Sequence, residues 1–268
     1  MYLMNSKTKF PFRFFLITFL WSWILWGVLI LLSKKVIDIS SDMFSPLKIV
    51  FLVPAAFGPL VGAIIAQRTL QGKGSVKVFL RKFLDLRLGW KAYVLAVLII
   101  AGCNFIAWIL PEAFGEERLP MLLPSLWVFI PYLIIMILFG GGQEEFGWRG
   151  YALPILEKKY GIWLANLILG IIWAVWHLPL WFIEGTSQTY INFGGFMLFT
   201  IGSSYILSWV LSVSGNRPFS ALFTHGISNA FVPVMPTIVM AVNVPQPRYW
   251  IWVALTLFAG IVLTLIRK

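Results

Sequence analysis

Phe14 to Ser33 is a run of twenty residues without one charged side chain, and runs of this kind recur along the whole chain. Twenty residues of α-helix reach about 30 Å, the thickness of a bilayer's hydrocarbon core. No water is available there to satisfy backbone N–H and C=O groups, so only helices and closed barrels can cross it. The apolar residues come in blocks rather than in the alternation of a barrel strand or the stripe of a surface helix, which points to transmembrane helices. Eight spans are expected, at roughly 14–33, 47–66, 92–110, 124–143, 161–183, 192–213, 219–242 and 249–266. The fold class is therefore all-α: a polytopic transmembrane bundle in which residues 1–268 form a single membrane domain.

Composition agrees. Charged residues are 12% of the chain and hydrophobic residues 60%, against about 25% charged in soluble domains. The net charge of +11 does not indicate a nucleic-acid partner, because the basic residues sit in short loops between apolar runs, where they set membrane orientation. Placing the N-terminus inside puts sixteen of the 21 basic residues on the inner side. Lys34, Lys35, Lys48, Arg118 and Arg248 fall outside, so both termini are expected in the cytosol. The first run is long for a cleavable leader and lacks a small-residue cleavage site, so it reads as a span. The single cysteine, Cys103, excludes an internal disulfide and any multi-cysteine zinc site.

The one longer connection, 67–91, contains an amphipathic pattern from Ser75 to Leu88. Val76, Phe79, Leu80, Phe83 and Leu84 fall at helical spacing, with Lys77, Arg81 and Lys82 largely opposite. This predicts a helix lying at the interface of an anionic leaflet. No internal repeat is apparent, which argues against a transporter built from inverted repeats.

Three polar clusters break the apolar runs: Glu144-Glu145-Phe-Gly-Trp-Arg149, Trp173-Ala-Val-Trp-His177 and His225-Gly-Ile-Ser-Asn229. Both histidines of the chain lie in them. Ionisable groups at membrane depth cost at least ~2.5–3.5 kcal/mol each and mark function by default. If a helix continues past the triple glycine at 140–142, Glu145 and Arg149 are i,i+4 partners and Glu144 projects to another side. Two adjacent carboxylates in low dielectric do not both ionise without help, so a facing cation or a retained proton is expected. His225 and Asn229 share one helix face. The polar centre suits a reaction site, or alternatively ion or partner binding in a transporter, channel or regulator.

The ordered set Glu-Glu-x-x-x-Arg, aromatic-x-x-x-His and His-x-x-x-Asn resembles the CAAX protease and bacteriocin-processing (Abi) family of intramembrane proteases, which includes the type II CAAX prenyl endopeptidases. The resemblance covers about 130–233, which would be the catalytic core. Trp173 stands where that family usually has Phe. The resemblance implies an intramembrane endopeptidase acting on a membrane-embedded or lipid-anchored substrate, prenylated CAAX-like or bacteriocin-type. It implies that Glu144 and His177 activate a water, that His225 and Asn229 donate to the oxyanion, and that Glu145 and Arg149 support them. No serine or cysteine nucleophile is arranged for covalent catalysis. A zinc ion on His177, His225 and Glu144 stays open beside metal-free hydrolysis, although no His-Glu-x-x-His helix is present. Short loops fit a prokaryotic plasma membrane.

Depth poses a problem for this assignment. Glu144 and His225 fall within roughly 10 Å of the inner end of their spans, whereas His177 lies roughly 24 Å into its own. Either that span is tilted or begins outside the core, or 145–160 dips back into the membrane. Pro179 offers a kink. A water-filled cavity opening on the cytosolic side would reach all three clusters.

Overall fold

The computed structural model describes residues 9–37, 39–87 and 89–267, and within them the only regular elements are helices. Lys7, Leu88 and Lys268, which enter the topology and amphipathic-helix expectations, lie outside the described residues. The helices are α1 Phe12–Ser33, α2 Ser41–Ala55, α3 Gly58–Gln71, α4 Lys73–Arg81, α5 Trp90–Ile109, α6 Phe129–Leu138, α7 Glu145–Gly147, α8 Leu153–Trp176, α9 Phe193–Val213, α10 Phe219–Phe231 and α11 Pro247–Leu265. Several carry the length and hydropathy of a membrane crossing.

Residues 47–66 were expected as one span and are two helices, because Pro54 and Pro59 bracket a break at Ala56–Phe57. The Ser22 hydroxyl donates to the Ala55 carbonyl freed there, at 2.7 Å. Gly58 and Gly62 then face α1 so closely that a Cβ on Gly58 would come 2.8 Å from the Thr18 carbonyl oxygen. This is small-residue packing of the kind that joins helices in lipid.

The expected spans 124–143 and 219–242 are each helical over only part of their length. Pro124 and the 140–142 glycines bound α6, while Pro233 and Pro236 follow the end of α10. The irregular stretch after α10 is held by Gln246, which bonds both the N–H and the C=O of Val239 at 2.9 and 2.8 Å.

Helix α8 resolves the depth problem. It follows a π-helical turn at Trp148–Ala152, and one residue inside it, Gly161, is non-helical at φ +76°, ψ 169°. A straight helix would separate Glu144 from His177 by about 50 Å over 33 residues, yet their side chains meet. The chain therefore reverses at Gly161. One arm leads out from Glu144 and one leads back to His177, with 16 and 15 residues between those positions and the turn. Similar arms return the chain to the depth from which it left.

The amphipathic helix forms as α4, with a 3-10 turn at Lys82–Leu84 and extended backbone at Asp85. Its aromatic residues meet protein rather than lipid alone. Phe79 and Phe83 are buried, and the Phe83 ring stacks on Phe146 at 4.1 Å. Arg149, counted among the inner loop residues from sequence, is instead inside the bundle with its side chain fully buried.

Candidate active site

The site begins at the triple glycine. Gly141 sits at φ +131°, and a Cβ on it would lie 2.5 Å from the Asn229 amide nitrogen and 2.6 Å from His225 Nε2. Only glycine permits both the backbone conformation and the close approach. The turn is tied down at each side: Asn229 Nδ2 donates to the Gly140 carbonyl at 2.5 Å, and the Gly141 N–H donates to Gln143 Oε1 at 2.8 Å. This presents Glu144, 5% exposed, at the end of the following 3-10 turn.

The two oxygens of Glu144 have different company. Oε2 accepts the indole N–H of Trp173 at 2.8 Å and that of Trp148 at 3.1 Å. Oε1 faces His177 Nε2 at 3.9 Å. The Nδ1 of His177 lies 2.9 Å from the Trp173 carbonyl oxygen. That oxygen can only accept, so Nδ1 carries the proton and Nε2 presents its lone pair toward Glu144. Two acceptors 3.9 Å apart do not bond each other, but a single water can donate to both.

Glu145 points the other way. Its Oε1 meets Arg149 Nη1 at 3.0 Å and His225 Nδ1 at 2.8 Å, with the Glu145 and Arg149 side chains fully buried. The two adjacent carboxylates thus have separate partners, one held by indole N–H groups and the other by the Arg149 guanidinium and the His225 imidazole. The Arg149 guanidinium also lies over the Trp173 ring, 4.8 Å from its centroid. Trp173 therefore touches Glu144 through its N–H, His177 through its carbonyl and Arg149 through its face.

The structure brings Glu144, Glu145, Arg149, His177, His225 and Asn229 to one place. Sequence reasoning missed Trp148 as a donor and took Trp173 only as the residue standing where the family usually has Phe. The i,i+4 spacing of Glu144 and Trp148 was the available signal; nothing local to residue 173 announces a bond to residue 144.

Two cavities adjoin the cluster. One, about 120 Å³, is lined by Glu144, His177, His225 and Asn229 with Thr200 and Thr224. The other, about 440 Å³, borders Glu144, His177 and Asn229 and runs to Lys48 and the 185–188 segment. Lys48 lies on α2, about twenty residues of helix from Arg68, and 185–188 lies at the opposite end of α9 from Arg217. The wider cavity thus leads away from the end where most basic residues gather. An N-in topology and a cytosolic opening of this cavity do not both hold.

Among the described residues, no three His, Cys, Asp or Glu side chains converge closely enough to hold a metal ion. Glu144 and His177 face each other at 3.9 Å, and His225 turns its Nδ1 to Glu145, which leaves its Nε2 without a carboxylate partner among the described residues.

The family model "Type II CAAX prenyl endopeptidase Rce1-like" matches residues 125–231, a segment that holds every residue of this cluster. CAAX prenyl protease 2 of Methanococcus maripaludis is 25% identical over 238 residues, covering 84% of this chain and 85% of its own length. Lysostaphin resistance protein A of Staphylococcus haemolyticus is 22% identical over 178 residues, 66% of this chain and 47% of that protein, so the match spans about half of it. The apolar helices and these similarities make the chain an integral membrane protein that resembles a CAAX prenyl protease.

Proposed function

We propose that this chain is an intramembrane endopeptidase that hydrolyses a peptide bond in a lipid-anchored substrate through a water held by Glu144 and His177. The observation that carries this reading is the pair itself. Glu144 Oε1 and His177 Nε2 are both acceptors, 3.9 Å apart, and each residue's other polar atom is already engaged.

A water between them donates one hydrogen to each. Glu144 takes a proton as the water oxygen attacks the scissile carbonyl, and a tetrahedral oxyanion forms. Glu144 then passes that proton to the amide nitrogen as the C–N bond breaks, releasing an amine and a carboxylate. Two groups face the oxyanion's side of the site. Asn229 keeps one amide hydrogen after its bond to Gly140. His225 Nε2 donates while Nδ1 also holds a proton against Glu145, that is, as an imidazolium. With Arg149 it balances the two carboxylates, and preorganised donors in a water-poor site act strongly on developing charge.

The name of the archaeal relative favours a prenylated CAAX-like substrate over a bacteriocin-type one. The short loops favour a prokaryotic plasma membrane, and the positive-inside count favours N- and C-termini in the cytosol. Proteoliposomes carrying a farnesylated CAAX peptide test the reading. Glu144→Gln and His177→Ala should each lower kcat by about a hundredfold to ten-thousandfold, the worth of a general base, with the melting temperature retained. A zinc chelator should leave the rate unchanged. Cleavage by Glu144→Gln at the wild-type rate would overturn the reading, and loss of activity on chelation restored by zinc would replace it with metal-dependent hydrolysis.

A further inference from the structure

A third cavity has no part in the chemistry above. It is a groove of about 840 Å³ between α4, the end of α6 and the start of α10. Its walls are apolar, including Leu80, Ile137, Phe139 and Leu222, and its rim carries Lys73, Lys77 and Arg81. Among the described residues, none that lines it is acidic. The three rim cations form no ion pair among the described residues. The groove lies within the ~300–1,000 Å³ usual for small-molecule sites.

Gln143 lines the same groove and is 2% exposed, and its Oε1 accepts from the Gly141 N–H.

We propose that the groove is a binding site for one anionic phospholipid. Its phosphate lies against Lys73, Lys77 and Arg81, and one acyl chain runs along the apolar walls. The charge pattern selects this occupant: an apolar chain alone would fill the groove but leave three cations unanswered, and a zwitterionic headgroup adds a cation to them. Basic residues beside an apolar surface at the membrane interface are what anionic headgroups recognise. Gln143 immediately precedes Glu144 and holds the glycine turn, so the lipid would brace the loop that presents Glu144.

The full-length chain in zwitterionic detergent micelles tests this without any cleavage assay. Dipalmitoyl phosphatidylglycerol should raise the melting temperature and appear as a one-to-one adduct by native mass spectrometry, and dipalmitoyl phosphatidylcholine should do neither. Lys77→Glu/Arg81→Glu, both exposed and therefore neutral to folding, should weaken the adduct roughly thirtyfold, at about a factor of five per cation. Dihexanoyl phosphatidylglycerol should bind much more weakly than the dipalmitoyl lipid, because its chains cannot fill the groove. Equal effects of the two headgroups, an unchanged adduct in the double variant, or equal effects of the two chain lengths would each overturn the proposal. Displacement of the adduct by a farnesylated peptide would overturn it too, by giving the groove to the substrate's tail.

Discussion

Trp173 and Trp148 donate to the same oxygen of Glu144, at 2.8 and 3.1 Å, from positions 25 residues apart in the chain. Two neutral donors on one oxygen fix the carboxylate's rotation and leave the other oxygen for His177. Each donor insures against loss of the other. Trp173→Phe and Trp148→Phe should each cost tenfold or so in kcat, near the ~1.5 kcal/mol low end for a hydrogen bond to a charged group. The double variant should lose more than the product of the two, since a buried carboxylate oxygen is then left with no donor. A double-mutant cycle on kcat, with melting temperatures alongside, measures this coupling; strict additivity would show that the indoles act independently.

Glu145 and Arg149 should separate from Glu144 in a stability measurement. Removing one member of a buried ion pair leaves the other uncompensated, at about 3–5 kcal/mol. Arg149→Met should therefore lower the denaturation midpoint strongly, whereas Glu144→Gln should not. Glu145→Leu/Arg149→Met should recover much of the stability while activity stays low, because His225 loses the carboxylate that orients it. A double variant with wild-type activity would remove Glu145 from the positioning role.

Outside the membrane, Asp85 accepts from Arg87 and also from Arg217, joining the segment after α4 to the α9–α10 connection. The Arg87 hydrogen bonds, with help from Arg217, hold the Asp85 carboxyl well below the usual carboxylate range. A depressed folded-state value stabilises the fold above the unfolded carboxylate's titration, and that contribution is lost as the pH falls toward the folded value. Because the pair is exposed, the effect is small and screened by salt. Limited proteolysis at Arg217 should accelerate below about pH 4 in the wild-type protein and be fast at all pH values in Asp85→Asn. An unchanged cleavage rate in the variant would show that the Arg217 contact does not hold this connection.

The reversal at Gly161 shows where sequence reading stops. Apolar block length was enough to identify a helical membrane protein, and the order of Glu144, His177 and His225 was enough to gather the site residues. Gly161 was equally visible, but as the first residue of an expected span. A positive φ is a property of the backbone that composition does not encode, and glycine occurs in helices, turns and packing seams alike. The same limit hid the bond from Trp173 to Glu144, which depends on the two arms returning to one depth. The short α6 and α10 were harder to see because hydropathy continues past the prolines and glycines that end the helices. Gly161→Ala should be destabilised by about 1–3 kcal/mol, since φ near +76° with ψ near 170° is essentially reserved for glycine. Its kcat should fall further than its stability explains. A variant with wild-type stability would mean that the turn relaxes without strain.

The direction in which the wider cavity opens decides how substrate reaches Glu144. It runs past Glu144 and His177 to Lys48, Ser187 and Gln188, while Arg267 at the far end pairs with Glu157 at 2.8 Å and also reaches Ser208. The 185–188 segment and the C-terminus of α11 are therefore on opposite faces of the bundle. Cys103 is the only cysteine, so Ser187→Cys in a Cys103→Ala background carries one reporter thiol. In oriented vesicles, an impermeant thiol reagent should label it from the side opposite a C-terminal epitope tag. Under the proposed mechanism the reagent should also inhibit peptide cleavage, because Ser187 lines the same cavity as Glu144 and His177. If the tag is cytosolic, as the positive-inside count expects, substrate enters from the other leaflet. If the tag lies outside, the basic-residue count has misassigned the orientation and the cavity opens to the cytosol. Labelling from the same side as the tag would contradict the helix path itself, since an odd number of crossings separates residue 187 from the chain's end.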